Sequence, residues 1–410
     1  RFSQFLLLIG GVAMVATGVF LFAPPASADL YVPSRWIHAV GGGIVLPLVF
    51  LWHLVEGLTR SRRALLYVFN PLARFRLFPL VAFAIVAAVT TSLLLGGWPG
   101  YFPWRNLVAK KVDPAVTRVS DLAELPWDSV DPLVVGLASG SGFEHGHTDL
   151  TLRAMHDGEE LFVLAQWHDE TESRIYWPWE KTEDGWKHFL TSKKDETVYY
   201  EDKFSLVFPV KPEWQFDRFG CAMTCHVGEG YPYGYKGCER TIDVWHWKST
   251  RTDPVGQCDD KYWSTIDFDR EDIGRYGDPK ESGGYIKNLT DDGDHPPYLP
   301  DSLSVVRQGM MPTEHAVEYT AEAAEKFATG AVIPGIVASP FVGDRGDVSC
   351  QSTHANGVWT VFLRRKLETG SEYDTQFVPG EAYAFSCAAF NCAAKRHAYN
   401  MAVYRLVLEP

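Results

Sequence analysis

Three apolar stretches in the first hundred residues constrain this 410-residue chain more than any other feature. Residues 5–22 are nearly uncharged, 36–58 are apolar apart from His38, His53 and Glu56, and 78–97 contain no ionisable residue. Each approaches the ~20 residues that cross ~30 Å of hydrocarbon. Backbone groups in lipid must bond internally, so these stretches are expected as transmembrane α-helices. Ala-Ser-Ala28 after the first is a passable leader-cleavage site, but two further spans follow, which favours a membrane helix. Arg60, Arg62, Arg63, Arg74 and Arg76 lie between the second and third spans, against Arg35 alone between the first and second. Positive charge marks the cytoplasmic side, so everything after Trp98 is expected outside. The expected organisation is an anchor over 1–98, a connector over 99–130 and an all-β sandwich with long loops over 131–410.

The segment Cys221-Ala-Met-Thr-Cys225-His226 carries the chemistry. Two thiols followed at once by an imidazole suit covalent c-type haem attachment, in which both sulfurs bond the porphyrin edge and the histidine reaches the iron. The usual spacing is C-x-x-C-H, and here three residues separate the cysteines. All seven cysteines lie after residue 220, leaving Cys238, Cys258, Cys350, Cys387 and Cys392 beyond the pair. The expected disulfides are Cys238–Cys258, and Cys350 with Cys387 or Cys392. Disulfides and haem attachment both belong to an oxidising compartment, in agreement with the loop charges. A net charge of −13 and a pI near 5.5 exclude a nucleic-acid surface, which needs clustered Lys and Arg.

His38 and His53 are fifteen residues apart in the second span. On a helix they stand about 22 Å apart along the axis and ~60° apart around it. Ionisable groups inside a membrane are functional by default. The arrangement suits one or two b-type haems and resembles the paired-histidine helix of membrane b-type cytochromes serving formate dehydrogenase and hydrogenase. Gly41-Gly-Gly43 permits close approach. The other two spans contain no His, so the second ligands are expected from a missing N-terminal helix or a partner subunit.

Beyond the connector the pattern turns to strands. Residues 150–155 and 161–167 read as a hairpin about His156-Asp-Gly158, and further strand-like runs lie at 204–208, 241–247, 358–363, 382–386 and 402–408. One helix is expected near 320–328. Here the chain resembles the haem-binding γ subunit of ethylbenzene dehydrogenase and related molybdenum enzymes. The resemblance runs from about Leu125 to the C-terminus, through His156-Asp-Gly-Glu-Glu-Leu-Phe-Val-Leu-Ala-Gln-Trp167, Asp243-Val-Trp-His-Trp-Lys248, Gly357-Val-Trp-Thr-Val-Phe-Leu-Arg-Arg-Lys-Leu367 and Pro379-Gly-Glu-Ala-Tyr-Ala-Phe. It implies a β-sandwich holding one haem that passes single electrons, there with Met and Lys ligands. This chain departs at both positions. Cys221–His226 replaces the Met, and Lys395-Arg396-His397 stands where the Lys is expected. His226 and His397 are therefore the expected axial ligands, with Lys395 as the alternative and Met223, His246 and Lys248 as weaker candidates. Lys248 suits a haem propionate or a strand cap.

His145-Gly-His147 has metal-like spacing on a loop, while His156 and His168 are expected in solvent. Asp267-Phe-Asp269 and Asp291-Asp-Gly-Asp294 are candidate Ca²⁺ loops. The expected function is a non-catalytic electron-transfer subunit in a bacterial inner membrane. It would carry one haem c and one or two haem b between the quinone pool and a periplasmic redox protein, alongside other membrane cytochrome subunits. The rival is an extracytoplasmic ligand-binding or sensing sandwich on plain helices, without redox function.

Overall fold

The computed structural model describes residues 10–13, 45, 48–49, 52, 105–192, 196–213, 216–217, 220–221, 241–263, 275–400 and 402–410. The chain divides into two compact units, 1–103 and 104–410. The expected spans lie almost wholly outside the described residues, as do His38 and His53. Among the described residues no helix is long and apolar enough to cross a membrane.

Among the described residues of the second unit, thirteen strands form one hydrogen-bonded network. They are β1 (Asn106–Lys111), β2 (Leu133–Leu137), β3 (Thr148–His156), β4 (Glu160–His168), β5 (Lys203–Pro209), β6 (Ile242–Lys248), β7 (Asp259–Trp263), β8 (Arg275–Gly277), β9 (Ser349–Ala355), β10 (Val358–Lys366), β11 (Ala382–Phe390), β12 (Ala398–Tyr399) and β13 (Tyr404–Leu408). Their order is β8-β7-β6-β5-β11-β13-β1-β3-β4-β10-β9, with β2 on β3 and β12 on β11. β11 makes the corner. Its first half, Ala382 to Phe385, pairs with β13, and Ser386 to Phe390 pair with β5. A strand that changes sheets folds the network into two layers.

Period-two alternation then builds the core between the layers. Trp167 on β4 and Trp359 on β10 meet Phe204 on β5 and Trp247 on β6, with ring centroids 5.6 Å apart for Trp167–Phe204 and 4.9 Å for Trp247–Trp359. Two of the three indole N–H groups have partners. Trp247 Nε1 donates to Asp253 Oδ1 at 2.8 Å and Trp359 Nε1 to Asp202 Oδ2 at 3.1 Å. The β3–β4 hairpin forms as expected. Asp157 Oδ1 accepts from Glu159 N and Glu160 N at 2.9 and 2.8 Å, and Gly158 takes the positive φ of +97° that the turn requires.

Three expectations need correction. The stretch taken as a connector holds β1, which pairs in parallel with both β13 and β3. It also supplies Leu122, Leu125, Trp127 and Val130, which pack on Met155, Phe162, Leu164 and Phe362 and cover the outside of the first layer. The helix near 320–328 is a single turn, Ala321–Ala324, capped by Thr320 Oγ1 accepting from Ala323 N at 3.0 Å. Cys350 does not pair with Cys387 or Cys392. It lies beside Cys258, and all four are free thiols. Cys238 lies outside the described residues.

Candidate functional site

The outward face of the layer formed by β12, β11, β5, β6 and β7 gathers Cys221, His246, Lys248 and His397. Strand register sets which side chains share it. Asp259, His246, Ser205, Ala388 and Tyr399 stand in one row across β7, β6, β5, β11 and β12. The next row on one side holds Lys248, Lys203 and Phe390, and on the other Val244, Val207 and Ser386. Small side chains, Ser205, Ala388 and Ser386, thus form a floor between His246 and the chain that arrives with Cys221.

Gly220 allows that approach. Its φ is +68°, and an added Cβ would stand 3.3 Å from Ser386 Oγ and 3.4 Å from Ala402 O. With the backbone this close, Cys221 N donates to Ser386 Oγ at 3.1 Å. Cys221 is half-buried, a free thiol, and packs with Phe216, Val207, Ile242, Val244 and Ala384. Met223, Cys225 and His226 lie outside the described residues.

At the other end of the floor two imidazoles flank one ring. His246 is 4% exposed, and its ring centroid lies 5.7 Å from that of Phe390. His397 packs on Phe390 at 4.8 Å, with Nδ1 3.0 Å from Lys395 O. Glu196 pins this segment by accepting from Lys395 N, Arg396 N and Arg396 Nε. Burial raises the Glu196 carboxyl, but its hydrogen bonds, that from Arg396 foremost, bring it below the ordinary value. Ser386 and Phe390 are four residues apart on β11, so Cys221 and His397 are separated by about 13 Å along the strand.

Lys248 is on the same face, 2% exposed, and its ammonium is bonded to Asp259 and to Tyr285 Oη, the latter at 2.8 Å. Burial pulls the ammonium below its ordinary value, and its bonds to Asp259 oppose this. Asp259 also binds Lys261 at 3.3 Å and Arg345 at 2.7 Å. Burial pushes that carboxyl up, but the three cations outweigh it and hold it well below the usual carboxylate range. Lys203 extends the cationic edge, its Nζ 4.1 Å from the Phe390 ring centroid.

Other sequence candidates fall elsewhere. His145 pairs with Glu144 at 3.6 Å and His147 with Asp149 at 3.5 Å, with no shared centre. His156, expected in solvent, is buried with Nε2 2.9 Å from Glu409 O, whereas His168 is exposed. Asp292 only caps its own turn, accepting from Asp294 N at 3.2 Å. Asp267 and Asp269 lie outside the described residues. The surroundings of His246, a weaker candidate from the sequence, are not visible locally. Its place opposite Ser205 and Ala388 depends on pairing three strands distant in the chain.

The described donors, a thiol and two imidazoles over small side chains with apolar walls, are of the types that could hold a haem. The fold is a β-sandwich, and its outward sheet face is the candidate cofactor surface. A family model described as ethylbenzene dehydrogenase matches residues 125–402, and the chain belongs to that family. No curated protein matches. Among solved structures, a family 9 carbohydrate-binding module from Caldicellulosiruptor kristjanssonii in complex with glucose is 8% identical with a TM-score of 0.27, covering 72% of this chain and 85% of that one. A putative carbohydrate-binding protein from Bacteroides uniformis is 8% identical with a TM-score of 0.28, covering 74% of this chain and 90% of that one. Likeness at this level bears on neither ligand nor mechanism.

Proposed function

We propose that the chain is a membrane-anchored, haem-carrying electron-transfer subunit. Cys221 and Cys225 would hold one haem covalently, and His226 and His397 would ligate its iron, with His246 the alternative on the same face. Bound there, the haem supplies one-electron redox chemistry, tuned by its ligands, burial and hydrogen bonds. The protein's part is to position and shield. Gly220 and Ser386 fix the thiol-bearing segment, Val207 and Val244 keep one side apolar, and Phe390 spaces the two imidazoles. Ligation by two histidines would favour electron transfer over substrate chemistry. His38 and His53 would serve b-type haems within the membrane, linking the quinone pool to a periplasmic redox protein. The net charge of −13 would steer a basic partner.

The observation that carries this reading is the Cys221 thiol and two imidazoles on one small-residue floor, in a chain of the ethylbenzene dehydrogenase family. A pyridine haemochrome spectrum after acid-acetone extraction tests it. Haem that stays with the polypeptide supports attachment at Cys221 and Cys225, and a colourless polypeptide refutes it.

A further inference from the structure

The inward face of the same layer holds a cluster of buried carboxylates. Asp243 on β6 and Asp260 on β7 are diagonal neighbours, since Asp243 faces Tyr262 and Trp245 faces Asp260. Asp374, from the loop before β11, joins them. One oxygen from each of the three lies within 4.8 Å of the others, and all three residues are buried. Asp278, just beyond β8, lies against Asp374, and Asp347 lies against Asp260 and Asp374.

The hydrogen bonding is one-sided. Asp243 Oδ2 accepts from Arg365 Nη1 and from Thr375 N, both at 2.9 Å. Asp260 Oδ1 accepts from Lys261 N at 2.9 Å, and Asp374 Oδ2 from Thr369 Oγ1 at 2.6 Å. The opposite oxygens, Asp243 Oδ1, Asp260 Oδ2 and Asp374 Oδ1, are buried with no donor. So are Asp347 Oδ1 and both oxygens of Asp278, a side chain only 2% exposed. Arg365 is bonded into the group, while the nearby Arg345 is held by Asp259 Oδ1 at 2.7 Å. Four buried carboxylates and the half-buried Asp347 against one guanidinium are costly unless a further cation compensates.

We propose that Asp243, Asp260, Asp278, Asp347 and Asp374 form a binding site for one divalent cation of the Ca²⁺ class. The six donorless oxygens match in number the lower end of the six to eight that Ca²⁺ takes at about 2.3–2.6 Å, and the one oxygen each of Asp243, Asp260 and Asp374 that lie within 4.8 Å of one another span about twice that radius. All-oxygen donors disfavour Zn²⁺ and softer ions. Mg²⁺ retains several waters, which a buried, carboxylate-crowded site does not favour. The ligands come from β6, β7, the segment after β8, the turn at 344–347 and the loop at 369–376, so the ion fastens parts of the chain far apart in sequence. Its binding free energy adds to folding, and it stiffens the strands that present His246 on the opposite face.

The test uses the full chain purified without chelator. Elemental analysis should find one Ca²⁺ per chain. Chelation should lower the unfolding temperature by several degrees, and Ca²⁺ should restore it better than Mg²⁺. Tb³⁺ should bind with luminescence excited through the aromatic residues beside the site, and Ca²⁺ should quench it. Asp278→Asn should weaken Ca²⁺ affinity at least tenfold, whereas Asp292→Asn on the exposed acidic turn should not. A folded wild-type chain with no Ca²⁺, no Tb³⁺ signal and no response to chelator would overturn the proposal. So would Tb³⁺ binding lost in Asp292→Asn and retained in Asp278→Asn.

Discussion

Asp259 shows how burial commits a side chain to one charge state. It is fully enclosed and meets Lys248, Lys261 and Arg345, so its carboxyl stays ionised well below the usual range. A depressed carboxyl contributes stability that is fully present above the unfolded value near 4 and is lost as pH falls through the folded one. Asp259→Asn should cost about 3–5 kcal/mol at neutral pH, because it strands buried cations. It should also flatten the loss of stability between about pH 5 and 2, as read by denaturant titration at several pH values; an unchanged acid limb would contradict the assignment. On the same face, His397→Ala should leave the haem attached and shift its low-spin spectrum. If that spectrum is unchanged while His246→Ala alters it, His246 takes the ligand role. The Cys221, Cys225 and His226 pattern is local in the sequence, so it stands out as a motif, though Cys225 and His226 lie outside the described residues. His246 does not stand out, because nothing local in Asp243-Val-Trp-His-Trp-Lys248 reveals which residues stand opposite it.

At the scale of elements, the sequence is most readable where one rule acts alone. The β3–β4 hairpin was legible because alternating apolar residues flank an Asp-Gly turn. The first strand was not. Asn106–Lys111 has a weak pattern of its own, and its place comes from parallel pairing with β13, about three hundred residues later. Thiol pairing was equally hidden. Cys258 and Cys350 meet because backbone bonds from Cys258 N to Val348 O and from Cys350 N to Gly256 O, both at 2.8 Å, join two distant segments. Burial pushes the Cys350 and Cys387 thiols well up. In the native protein at pH 8 both should resist alkylation and react only after denaturation; rapid native labelling would contradict their burial. The aromatic seam carries much of the contact between the layers. Trp247→Ala should destabilise the fold by about 3–5 kcal/mol in chemical unfolding, and a loss below about 1 kcal/mol would show that the seam is not tightly packed.

For the whole molecule, one sheet presents two different chemistries on its two faces. Outward, small residues leave room beside Cys221, His246 and His397. Inward, beyond Trp245 and Trp247, carboxylates gather at the layer's edge. The strand alternation that fills the core also places both groups, so a change of register in β6 would exchange them. The central claim is that a porphyrin is bonded to the chain through the 221–225 segment. Intact-protein mass spectrometry of the purified chain, followed by mapping of the peptide that carries Cys221 and Cys225, tests it most directly. The account predicts one covalently added haem, located on that peptide and abolished by Cys221→Ala with Cys225→Ala. A polypeptide at its unmodified mass, with both thiols open to alkylation, would contradict it.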